Sequence, residues 1–150
     1  MSIRCYIPTT LTALRAGLES VHAVAPDAQG RELGGEELEA REFDALCIAA
    51  ALAATQAFEA SAVSPRAVVA YDAPDSSAGE GLAEGFDVLT LDGVEMTSIA
   101  SIHLDEAEVW EEAADIAAQR GTEAAEDHLG EADLLWYDVS ELPELLRDQD

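Results

Sequence analysis

The chain is 150 residues long, a normal length for one domain, and 49% of its residues are apolar, which excludes an acidic disordered tail. Thirty-two acidic residues stand against seven basic ones, all arginine, for a formal net charge of −25. A field of that sign repels phosphate backbones and anionic bilayers, so neither nucleic acid nor a membrane surface is expected as a partner.

The longest unbroken apolar run, Ala45 to Ala54, is about half of the ~20 residues a membrane span needs. Met1 to Tyr6 moves straight into a strand pattern without a signal-peptide core. The expectation is a cytoplasmic protein with one domain over residues 1–150. The acidity is uneven: residues 1–35 are neutral in sum, whereas residues 72–150 hold 23 acidic residues against Arg120 and Arg147. General solubility in the host proteome is one source of such a surface, and an acidic face shaped for a basic protein is the other.

Ile3 to Ile7 alternates and reads as a first strand ended by Pro8. Thr9 or Thr10 can cap the next helix, in which Leu11, Leu14 and Leu18 share one face. Val21 to Ala25 is a second short strand stopped by Pro26, and Pro26 to Gly35 is a loop. Glu36 to about Ala60 carries the strongest helix pattern: its acidic first turns suit the helix dipole, and its middle is apolar on every side, which predicts burial across the sheet.

Ala67 to Tyr71 forms a third strand, and Asp72 to Gly85 has the composition of an exposed loop. Phe86 to Leu91 is a strand followed by Asp92-Gly93, a hairpin-type turn, and Met96 to Leu104 is another. Asp105 and Glu108 make a capping-box pattern before a helix that turns Trp110, Ala113, Ala114 and Ala117 inward and ends at Gly121. A short helix over Thr122 to Leu129, a strand over Leu134 to Asp138 and a last turn or two over Glu141 to Arg147 complete the chain. The element order predicts an α/β fold of the α+β type: a single mixed sheet of about five or six strands packed with three main helices.

Two segments resemble a family of uncharacterised actinobacterial proteins. The opening Ile3-Arg4-Cys5-Tyr6-Ile7-Pro8-Thr9-Thr10-Leu11 is similar to that family's R-V-Y-V-P-A-T-L start. The closing Leu134-Leu135-Trp136-Tyr137-Asp138-Val139-Ser140-Glu141-Leu142 is similar to its near-terminal L-L-W-Y-D-V-T-E-L. Between them His22-Ala23-Val24-Ala25-Pro26 is similar to the family's A-V-T-P segment, and this chain departs from the pattern with Cys5 in place of valine, Ala25 in place of threonine, and Gly130 to Asp133 before the L-L-W-Y segment. The resemblance implies an actinobacterial host and a single domain, and brings no activity with it.

Three kinds of site can be sketched. Pro8-Thr9-Thr10 before a helix, with Arg4, Arg15 and Arg31 in the same neutral third, would suit a phosphate or carboxylate ligand; simple capping accounts for the same threonines, and no glycine-rich phosphate loop is present. Glu123, Asp127 and His128 form an acidic cluster that could attract a hard cation, although their spacing matches no metal signature and a solvated face explains them. Trp136 and Tyr137 must point to opposite sides of their strand, so that one packs inward while the other, near Asp138, could meet a partner with a basic rim.

Cys5 and Cys47 both sit in apolar segments and read as core thiols, and no catalytic triad or elbow motif is visible. The resulting expectation is a non-catalytic protein-interaction or regulatory module with a basic protein as its partner and no cofactor. The alternative is a small-molecule binder or enzyme at the Pro8–Thr10 junction. The oligomeric state is open.

Overall fold

Apolar Ile3, Cys5 and Ile7 alternate with Arg4 and Tyr6, and this two-residue period gives β1 (Ser2–Thr10) two distinct faces. The computed structural model describes residues 2–17, 21–59, 65–74, 78–83, 85–132, 134–141 and 143–144. In it β1 lies at the centre of one seven-stranded sheet of order β4-β5-β2-β1-β3-β6-β7. The other strands are β2 (Val21–Pro26), β3 (Arg66–Pro74), β4 (Ala78–Ala83), β5 (Phe86–Leu91), β6 (Ile99–Leu104) and β7 (Leu135–Asp138).

Every neighbouring pair is antiparallel, and β1 pairs with β3 along its whole length, from Ser2↔Pro74 to Thr10↔Arg66. The protein therefore has an α+β fold, with a purely antiparallel sheet in place of the expected mixed one. The strand beyond the expected five or six is β4, which lies in the segment read as a loop. Gly79 and Gly81 suppress its alternating pattern, and as an edge strand it needs only β5 for its backbone. Asp92-Gly93 closes no hairpin, because β2, β1 and β3 separate β5 from β6. The tight turn falls instead between β4 and β5, where Gly85 has a φ of +90°.

Three main helices pack with the sheet: α3 (Gly35–Glu59), α4 (Ala107–Arg120) and α5 (Thr122–Gly130). Two short ones, α1 (Leu11–Ala16) and α2 (Ala28–Arg31), start at Thr10 and Asp27, whose side chains accept from the backbone N–H groups of Ala13 and Gly30. Ala45, Ala49 and Ala53, one turn apart, put methyl groups of α3 against Tyr6, Val24, Val68 and Ala70, which lets the helix lie close to the strands. The opposite sheet face buries Ile3, Ile7, Val69, Leu89, Ile102 and Leu104, with Leu14 of α1 among them.

α4 and α5 meet at Gly121, whose φ of +97° turns the chain between them. Ala113, Ala125 and Leu129 form a small cluster with Ala54 of α3, where Phe58 and Trp110 stack with ring centroids 5.2 Å apart. Trp110 is thus committed to the helix–helix contact, as its inward position in the sequence pattern predicts. Among the described residues no helix is long and apolar enough to cross a membrane. Most of the final turn expected over Glu141 to Arg147 lies outside the described residues, which show a 3-10 turn over Val139–Glu141.

Candidate functional site

Arg66 begins β3 and Asp105 follows β6, so the antiparallel pairing of these two strands brings their ends together. The Arg66 Nε donates to Asp105 Oδ1 at 2.8 Å, and the Arg66 backbone N–H donates to Oδ2 at 3.3 Å. One Nη donates to the Leu129 carbonyl at 2.7 Å and the Ala132 carbonyl at 3.4 Å, and the other to the Ala50 carbonyl at 3.4 Å. A single guanidinium thereby ties the sheet to α3 and satisfies carbonyls at the end of α5. Burial pushes the Asp105 carboxyl up, and the attraction of Arg66 opposes that rise.

This corrects the capping-box expectation. Asp105 is spent on Arg66, and α4 starts from Glu106 with no side-chain cap hydrogen bond.

Above Arg66 a groove of about 670 Å³ opens between α3, the end of α5 and the β6–β7 edge. Phe43, Leu46, Cys47 and Ala50 of α3 form one wall, Leu134 and Trp136 another, and Glu126 and Asp127 of α5 stand at one side. Phe43 and Trp136 are 62% and 61% exposed, large apolar areas to leave in water. Trp136 pairs in register with His103, whose Nε2 lies 3.1 Å from the Ser101 hydroxyl. Burial alone pushes the His103 imidazole pKa down, so the ring favours its neutral form.

Ser101 and His103 form a nucleophile-and-base geometry only in outline. The serine is buried. Of the two thiols, Cys5 is buried with its pKa pushed up to about 12, whereas Cys47 is exposed on the groove wall. The core-thiol expectation therefore holds for Cys5 and fails for Cys47. α3 is not enclosed on all sides: Ala45, Ala49 and Ala53 face the sheet while Phe43, Cys47 and Leu52 are left exposed.

The residues sketched for an anion are dispersed. Thr9 and Thr10 are buried, and the Thr10 hydroxyl caps α1. Arg4 pairs with Asp72 at 2.7 Å, six positions along β1 from Thr10, which is roughly 20 Å of strand. Arg31 donates to the Pro26 carbonyl at 2.7 Å, and Arg15 sits in the last turn of α1.

Glu123, Asp127 and His128 share α5, with His128 facing Glu112 at 3.9 Å. Among the described residues no three His, Cys, Asp or Glu side chains are grouped to hold a metal ion. In the aromatic pair Tyr137 packs partly against the main core and Trp136 points outward. Asp138 accepts from the Ser140 backbone N–H at 3.0 Å, which pulls its carboxyl pKa down.

Trp136 stands out in the sequence, whereas its groove partners Phe43, Leu46 and Cys47 do not. Their i, i+3 and i+4 spacing was the available signal, a second apolar stripe beside the alanines that face the sheet. No curated protein and no solved structure matches the chain. Residues 3–146, nearly the whole length including both end motifs, match the pattern of a family of unknown function, DUF6912, and the chain belongs to that family.

Proposed function

We propose that the protein is a non-catalytic interaction module that docks a basic protein segment into the groove between α3 and β7. The observation that carries this reading is the exposure of Phe43 and Trp136 on the two sides of one apolar groove. Exposed aromatic side chains beside a concave apolar surface are the usual anchors of protein recognition. From Phe43 to Ala54 the groove follows α3 for roughly 16 Å, the reach of about five extended residues. The surrounding charge of −25 favours a basic partner and disfavours a second copy of the same chain.

The test is a random-peptide display selection on the native protein and on the F43A/W136A variant, with thermal melts to verify that both fold. The native protein is expected to enrich peptides that combine an apolar anchor with basic residues, and those peptides should protect Cys47 from alkylation. Absence of enrichment, or equal enrichment on the variant, overturns the reading.

A further inference from the structure

The charges around the groove are not balanced. At its floor Arg66 is matched by Asp105, and its Nη groups are spent on the carbonyls of Leu129, Ala132 and Ala50. It offers no unmet positive charge to a ligand. His103, half-buried beside Ser101, favours the neutral form. Glu126 and Asp127 remain, two carboxylates on the α5 side. The Thr55 hydroxyl donates to Glu126 Oε1 at 3.0 Å, which fixes that carboxylate next to α3.

The apolar lining and the two carboxylates suit the two halves of one side chain. Leu46, Ala50 and Leu134 can cover an aliphatic stem. Trp136 and Phe43 are exposed aromatic side chains of the groove lining, and Trp is the strongest aromatic partner for a cation. A planar guanidinium stacks on such a ring and also hydrogen-bonds carboxylates with its edge, which an ammonium does less well. Building on the docking role proposed above, we infer that the groove recognises an arginine side chain of the partner segment, its stem along Leu46 and Leu134, its guanidinium on Trp136 and its charge toward Glu126 and Asp127. A neutral apolar side chain would leave both carboxylates without a counterpart.

The experiment uses small probes, so it does not depend on the peptide selection. The full chain, labelled with ¹⁵N, is titrated with N-acetyl-arginine methylamide and with the citrulline analogue, which has nearly the same shape without the charge. The Trp136 indole N–H resonance, assigned by its loss in W136L, is the readout. Arginine should shift this resonance at a Kd about tenfold below that of citrulline. In the E126Q/D127N variant, whose amide at position 126 keeps an acceptor oxygen for the Thr55 hydroxyl, the preference should disappear while thermal melts show the fold retained.

Equal response to the two probes, no response to either, or a preference that survives E126Q/D127N overturns the inference. The docking reading can survive that result, because display peptides anchored by apolar residues alone would still distinguish the native protein from F43A/W136A. Failure of the display selection beside a clear arginine preference would instead remove the protein partner and leave the cation site.

Discussion

The guanidinium of Arg66 and the carboxylate of Asp105 meet at 2.8 Å with their side chains only 2% and 0% exposed. Such a pair contributes little net stability over an apolar replacement, but removing one partner leaves a buried charge without its counterpart. D105A should lower unfolding stability by about 3–5 kcal/mol in urea titrations. D105N, which keeps an acceptor oxygen near Nε, should lose less.

His103 makes stability fall on mild acidification. Its folded pKa lies below the ordinary 6.5 because burial disfavours the charged ring, so the unfolded chain takes up the proton first. The contribution is fully present above the unfolded value and is lost as pH falls from there toward the depressed folded one. Melting curves from pH about 7.5 to about 5.5 should show a steeper decline for the native protein than for H103Q.

The two cysteines should react at very different rates. At neutral pH a chromogenic disulfide reagent should modify Cys47 quickly, because it is exposed on α3. Cys5, buried and with its pKa pushed up to about 12, should react only after unfolding. C47S should therefore show no fast phase.

Ala49 lies in the tight seam between α3 and the strands, packed with Tyr6, Val24 and Val68. A49L should cost about 1–3 kcal/mol by forcing the helix away from the sheet. A40L, at an exposed position of the same helix, should stay within about 0.5 kcal/mol of the native protein. Paired denaturation curves check both.

Salt should stabilise the fold. With a net charge of −25 the dominant long-range force is self-repulsion. Raising sodium chloride from about 0.01 to 1 M shortens the screening length from about 30 to 3 Å. The melting temperature should climb over that range, and magnesium should add no site-specific jump, since among the described residues no three His, Cys, Asp or Glu side chains are grouped to hold a metal ion.

Elements with a strong period were legible in the chain. The alternation of Ile3, Cys5 and Ile7 marked β1, and the acidic start and apolar middle of Gly35–Glu59 marked α3. β4 was hidden because its glycines carry no side chains to alternate. Asp105 misled because a carboxylate before a helix looks the same whether it caps that helix or reaches a distant arginine. Only the pairing of β3 with β6 distinguishes the two. The groove was half visible for a related reason: Trp136 stood out locally, but its neighbour Phe43 is supplied by a helix far away in the sequence.

The position of β1 at the centre of the sheet has a consequence for how the molecule is made. Its longest partner, β3, lies on the far side of α1, β2, α2 and α3 in the chain, so the middle of the sheet cannot zip until residues 66–74 have been synthesised. Pairings of such high contact order place the expected folding time in the range of milliseconds to seconds. Throughout that wait the edge of β1 that β3 later covers stays open to other nascent chains, because β2 can take only the other edge. The later acidic segments, once emerged, repel such neighbours, so the charge that surrounds the finished groove also discourages aggregation before the sheet exists.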